Sequence, residues 1–368
     1  MIYISDRAGG RDNNFNLLRM IAATSVLVSH AYPLTLGAGY PEPLAWLQQD
    51  HIHDNLGRAA VFAFFGISGF FITRSFCNTS SLVRFCRARI LRLFPALIAM
   101  TVLTAAFLGL IVSTAPASEF LRALPSYFYV NLTLSLPNML GLTSLRASLL
   151  PGVFELPGVF ESNPMTAVNG SLWTLPFEIL CYALVLVGGL LGFLTRPRIF
   201  ALGLLALLAA YFTLFHFKPG RSFVPEILLY LAVPFGIGSA LWVWRDRVPL
   251  SPLLALALAV LPVFATGTIL FRPLFCLALI YALFVIGYAR LPLVGQYNRV
   301  GDYSYGMYIY AFPVQQMVVS WGVDDPLVNM ALSLPTTLIL AVLSWHLVEK
   351  PAMGYVSRDP RAALTPAR

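Results

Sequence analysis

Long uncharged apolar runs constrain this chain more than any other feature. From Leu93 to Ser118, and again from Pro249 to Phe271, no acidic or basic residue interrupts the sequence. A membrane-spanning helix needs roughly 20 mainly apolar residues, and both runs meet that length. Composition agrees: charged residues make up 11% of the chain, against about 25% in soluble domains. A soluble globular enzyme does not fit, nor does a disordered chain, which needs low hydrophobicity. The net charge of +8 is scattered among apolar runs rather than gathered into a patch, so nucleic acid is not an expected partner.

Ten segments qualify as candidate spans: 15–36, 59–76, 90–113, 170–194, 199–217, 225–244, 249–271, 273–289, 303–322 and 326–348. The expected fold class is therefore all-α, a polytopic membrane protein. With both termini in the cytoplasm and alternating spans, 17 basic residues fall inside and 6 outside, with Arg19 inside the first span. The opposite orientation reverses that imbalance, against the positive-inside rule. The domain reading is one transmembrane body over 1–350 and a short cytoplasmic tail over 351–368. The long outer stretch 114–169 holds a hexapeptide duplication at 150–161, Leu-Pro-Gly-Val-Phe-Glu twice, read as a local insertion. The first apolar stretch contains Arg19 and His30 and is read as a retained helix, not a signal peptide.

Cys77, Cys86, Cys181 and Cys276 form no C-x-x-C pair, so no disulfide framework or zinc site is expected. His51 and His53 lie between Asp50 and Asp54, which is a weak metal signal; a solvated or acceptor-binding loop is the preferred reading. No metal is expected.

Ionisable residues inside spans are costly and point to function. Arg19 and His30 are eleven residues apart, which is three helical turns plus roughly 20°, with about 16 Å of rise. They share one helix face. Glu178 enters the fourth span from the outer side, about 12 Å down, close to the depth of His30. A histidine and a carboxylate at one depth can form an acid–base pair; alternatively, Glu178 hydrogen-bonds a helix end broken near Pro176. Trp173 lies about one turn from Glu178. Arg89 and Arg92 are i,i+3 neighbours suited to a phosphate. On residues alone, a topological role against anionic lipid leads for this pair. Asn169-Gly-Ser171 matches a glycosylation acceptor, with helix capping the preferred reading.

These residues together resemble the membrane-bound acyltransferase family 3, the bacterial O-acyltransferases of glycans and glycoconjugates. Arg19-x10-His30 resembles its first-helix motif, and Phe64-Phe-Gly-Ile-Ser-Gly-Phe-Phe71 its second-helix pattern. Arg89-x-x-Arg92 with Pro95, Val168 through Glu178, Tyr303 through Tyr310, and Val348-Glu-Lys-Pro351 follow in order. One departure is Tyr310-Ala-Phe-Pro313, where many members carry a tryptophan–histidine pair before Phe-Pro. A fused extracytoplasmic hydrolase-like domain is not expected.

The resemblance implies a multi-pass enzyme of the bacterial cytoplasmic membrane, with acyl-CoA, acetyl-CoA first, as donor substrate and no resident cofactor. It implies His30 and Glu178 as catalytic, Arg19, Arg89 and Arg92 as donor-binding, and Ser68 and Trp173 as supporting residues. The expected partners are acyl-CoA, a carbohydrate or glycoconjugate acceptor and the bilayer; the oligomeric state is not readable. Direct transfer and an acyl-histidine intermediate both fit. The competing class is a proton-coupled transporter or flippase. Against it, the two halves of the chain show no convincing repeat.

Overall fold

A computed structural model describes residues 1–10, 12–40, 42, 55–79, 81–139, 155–217, 223–291 and 297–357. The described residues are helical, with one isolated β-bridge between Tyr3 and Pro249 and no strand. The principal helices are α1 (Phe15–Leu36), α2 (Leu56–Cys77), α3 (Leu82–Phe107), α4 (Ala117–Leu132), α5 (Leu175–Leu190) and α6 (Pro197–Phe217). They continue with α7 (Phe223–Val243), α8 (Pro252–Phe264), α9 (Phe271–Gly287), α10 (Ser304–Ser320), α11 (Pro326–Ser344) and α12 (Lys350–Ser357).

Each of the ten expected spans overlaps one of these helices, and among the described residues seven helical stretches are long and apolar enough to cross a membrane. α8 and α9 are apolar but shorter, at 13 and 17 residues. The turn between them, with Gly267 at φ 78°, takes up residues 265–270, which the sequence reading gave to the span 249–271; α9 starts two residues before the expected 273–289. α10 is also 17 residues, because Tyr303, Trp321 and Gly322 are turn rather than helix. Helix starts follow capping chemistry. Asn55 accepts from Arg58 N at 2.8 Å, and Asp325 accepts from Leu327 N and Val328 N, each satisfying donors that lack an intrahelical partner.

The chain divides into two compact units. The first is Met1–Asn78 with Trp173–Ser304. Its central element is α2, which packs against α1, α5, α7 and α9. Small residues make the closest approach: a Cβ on Gly69 would lie 2.0 Å from Phe235 O, and one on Gly238 would lie 1.9 Å from Gly66 O. Thr73 Oγ1 donates to Ser239 Oγ at 2.9 Å, and Ser239 Oγ reaches Gly69 O at 3.2 Å. Small residues and hydroxyl bonds are the usual glue between helices in lipid, where the hydrophobic effect does not drive association. This explains much of the Phe64–Phe71 pattern as packing.

One end of this unit gathers several segments. Ile4 N donates to Val248 O and Ser5 N to Arg245 O. Arg74 and Arg245 both lie over the Trp242 ring, at 5.9 and 4.3 Å. Asn14 Nδ2 donates to Ile286 O and Ala289 O, both at 2.9 Å. Elsewhere in the unit, Arg272 lies over Tyr230 and Phe215 and donates to Tyr211.

The second unit is Thr79–Leu172 with Tyr305–Arg368. α3 packs against α4 and α12 and runs into a π-helical turn, Leu108–Val112. The second hexapeptide copy is not a loose insertion. Leu156, Val159 and Phe160 are buried in one cluster with Leu108, Phe120 and Tyr127. Gly158 sits at φ 72° against Ala115, and its carbonyl accepts from Thr114 N at 3.0 Å. The copy therefore belongs to the unit's core, because the turn it makes pins the segment after α3. Residues 150–154 of the first copy lie outside the described residues. Gln316 Nε2 donates to Met165 O and Ala167 O, both at 2.8 Å, anchoring the segment that leads to Gly170 on α10. At the far end, α11 passes into a second π-helical turn, Trp345–Glu349, and then α12.

Candidate active site

His30 lies on α1 eleven residues after Arg19, in one unbroken helix that contains Pro33 near its end. The shared face expected from spacing is therefore real: about 16 Å of rise separates the two residues. His30 is half-buried, and its neighbour Ser29 meets the start of α2 so closely that a Cβ on Gly57 would lie 2.8 Å from Ser29 Oγ. That contact fixes the position of the His30 turn. Arg19 is a partly buried ion-pair member: Nη1 is 3.6 Å from Asp302 Oδ2, and its guanidinium lies over the Phe71 ring at 5.3 Å. Asp302 Oδ1 also accepts from Ser304 Oγ at 2.5 Å. Burial, and next the Asp302 carboxylate, push the nearby Tyr297 hydroxyl up to about 12, so it stays protonated.

Glu178 stands in the first turn of α5, half-buried between Phe177 and Ile179. It accepts a short hydrogen bond from the Tyr182 hydroxyl one turn later. Trp173 closes the 3-10 turn before α5, its ring 6.4 Å from Phe177. Ser68 is half-buried on α2. In the first unit, then, α1 with Arg19 and His30 and α5 with Glu178 both pack on α2, the helix that carries Ser68.

Arg89 and Arg92 belong to the second unit, on α3. They differ in setting. Arg92 Nη1 is 3.2 Å from Glu349 Oε2 and lies between the Tyr305 and Trp345 rings, at 5.9 and 5.7 Å. Glu349 is 1% exposed and also accepts from Ser344 Oγ at 3.0 Å. Arg89 lies over Phe85 at 5.9 Å. Glu349 closes the π turn Trp345–Glu349 and is buried beside Arg92 of α3.

Asp302, Tyr182 and Glu349 were not expected at these positions. Two signals point to them. A buried arginine needs a carboxylate, and positions i and i+4 of a helix meet. The sequence reading counted Arg19 and Glu178 as the buried charges; the structure adds Asp302 and Glu349, both more buried than Arg19. Helix capping by the Asn169–Ser171 segment is corrected. Among the described residues Ser171 Oγ makes no hydrogen bond, and Asn169 spends its amide N–H groups on Ile309 O and Met100 Sδ. His51 and His53 lie outside the described residues. Among the described residues no group of three or more metal-ligating side chains occurs.

The family model for an acyltransferase domain, acyltransferase family 3, matches residues 12–346. The chain belongs to that family. A protein named O-acetyl transferase from Shigella phage Sf6 is 31% identical over 350 residues, covering 92% of this chain and 96% of the relative. Nodulation protein 10 of Rhizobium leguminosarum bv. viciae is 29% identical, covering 95% of each. No solved structure gives a significant match. The chain is thus a multi-pass membrane acyltransferase. Within this acyltransferase the motif residues fall in α1, α2, α3, the 3-10 turn before α5 with the segment leading to it, the start of α5, the start of α10, and the π turn after α11 with the start of α12.

Proposed function

We propose that the chain is an O-acyltransferase of the bacterial cytoplasmic membrane. It moves a small acyl group, acetyl first, from cytoplasmic acyl-CoA to a hydroxyl of an exported or cell-envelope glycan. The observation that carries the reading is the α1 face with Arg19 and His30, held by α2, on which α5, the helix that carries Glu178, also packs. The phage relative named O-acetyl transferase supports acetyl as the group carried.

In this reading His30 takes the proton of the acceptor hydroxyl as its oxygen bonds to the thioester carbon. The C–S bond then breaks, and the imidazolium returns that proton to the leaving thiolate, giving the ester and free coenzyme A. Glu178, held by Tyr182, orients the imidazole. The family resemblance assigns Arg19, Arg89 and Arg92 to donor binding, and within the second unit Glu349 sets the position of Arg92.

The reading takes all ten apolar helices as spans with both termini inside. Contacts in the first unit support this alternation. Ile4, Arg74, Arg245, Val248 and Ile286 all gather at one end, and each is an inner position on that scheme. The transmembrane body over 1–350 and the tail over 351–368 remain part of the proposal.

The test is acyl transfer from labelled acetyl-CoA in membranes that contain the acceptor, with wild type and His30→Ala. Loss of transfer by roughly 100-fold or more is expected. Undiminished transfer by correctly inserted His30→Ala protein overturns the catalytic role.

A further inference from the structure

Asn169 and Ser171 are each 1% exposed, yet Asn169 Oδ1 and Ser171 Oγ make no hydrogen bond among the described residues. Buried polar atoms are normally paired, so two unmet atoms on one short segment call for an explanation. The amide orientation is determined. Asn169 Nδ2 donates to Ile309 O at 2.8 Å and lies 3.5 Å from Met100 Sδ. Turning the amide over would set Oδ1 against the Ile309 carbonyl, two acceptors in contact. The backbone beneath Ser171 is also held, because the Tyr308 hydroxyl donates to Ser171 O at 2.7 Å.

The segment therefore holds one acceptor, Asn169 Oδ1, and, two residues on, one hydroxyl able to donate, Ser171 Oγ. Their surroundings are apolar: Val168 and Leu172 are buried, and Gly170 lies against the Phe312 ring. One acceptor and one donor in an apolar setting complement a secondary amide, whose N–H goes to Oδ1 and whose carbonyl accepts from Oγ. A sugar brings several hydroxyls and would leave most of them unmet here.

Position on α3 narrows the ligand. Met100, which touches the Asn169 amide, shares its helix face with Arg89 eleven residues earlier, about 16 Å away along the axis. Leu93, between them on that face, accepts the Tyr305 hydroxyl at 2.9 Å. A guanidinium thus marks one end of a seam between α3 and α10, and the amide-binding pair marks the other. Coenzyme A has this order, with phosphates at one end and an arm carrying isolated secondary amides beyond them.

We infer that Asn169 and Ser171 are positioning residues for a secondary amide of the donor's pantetheine arm. The inference rests on the acyl-CoA reading above. It is tested by equilibrium binding of coenzyme A, and of adenosine 3′,5′-diphosphate, which lacks the arm, to the purified full chain in lipid nanodiscs. Ser171→Ala and Asn169→Leu are expected to weaken coenzyme A binding roughly three- to tenfold, the range of one lost hydrogen bond. Both should leave the diphosphate's affinity unchanged, which also reports an intact fold. Ser171→Thr keeps the hydroxyl and is expected to retain wild-type affinity for both. Variants that bind coenzyme A as tightly as wild type overturn the inference and leave the pair to a buried water. Wild-type protein that binds neither coenzyme A nor the diphosphate overturns the acyl-CoA reading itself, and the inference with it.

Discussion

Arg92 Nη1 meets Glu349 Oε2 at 3.2 Å across 257 residues of sequence. The pair ties the second arginine of the Arg-x-x-Arg stretch to the glutamate of Val-Glu-Lys-Pro, inside one unit. Tyr305 and Trp345 flank the guanidinium, and Ser344 takes a further position on the carboxylate. An arginine so engaged is a poorer phosphate ligand, so Arg92 is expected to serve this ion pair before it serves a donor phosphate.

Removing either partner leaves a buried charge, which costs about 3–5 kcal/mol. Arg92→Leu and Glu349→Leu are each expected to destabilise the protein by that order. The double variant is expected to lose much less than the sum of the two. Thermal or denaturant unfolding in detergent measures all three, and additive losses would contradict the pairing.

Arg89→Gln is expected to act on the donor instead. A lost hydrogen bond to a charged group raises KM for acetyl-CoA by about tenfold or more, with kcat and stability little changed. Steady-state kinetics at varied acetyl-CoA check this. A fall in kcat at unchanged KM would place Arg89 outside the donor site.

Tyr182→Phe removes the hydroxyl that donates to Glu178 while keeping the ring. If Glu178 orients the base, kcat falls by roughly tenfold while KM for the donor stays near wild type. Adding Glu178→Gln should then cost little more, because the two residues act as one unit.

Gly69→Ala places a methyl 2.0 Å from the Phe235 carbonyl, backbone against side chain, with no flexible group to yield. The two helices must separate, and overpacking of that kind costs about 1–3 kcal/mol or more. Gly203→Ala on α6 is the control, since nothing lies within 4 Å of its added Cβ. It is expected to be neutral or to stabilise by up to about 1 kcal/mol. Folded yield and unfolding temperature distinguish the two.

The helices were legible from local pattern, because a helix in lipid must satisfy its own backbone and so writes its length as an apolar run. The run Leu93–Ser118 gave most of α3 in this way. The shared face of Arg19 and His30 was legible too, since helical periodicity alone sets it. The early end of α8 was not, because the turn at 265–270 carries no charge and ends in Ile269 and Leu270, so it continues the uncharged run. Nor was the role of the second hexapeptide copy. Its Leu156, Val159 and Phe160 read as an insertion until α3 and α4 supply the surface they cover.

By itself the sequence determined the helical class, the family and the residues that carry unusual chemistry within apolar runs. Tertiary structure decided what those residues touch. Asp302 claims Arg19, Tyr182 holds Glu178, Glu349 pairs with Arg92, and Asn169 keeps an acceptor unspent among the described residues. The physical reason is range. Hydropathy and helical period act over a few residues, whereas most of these contacts join segments tens to hundreds of residues apart. Only the packed chain specifies those separations.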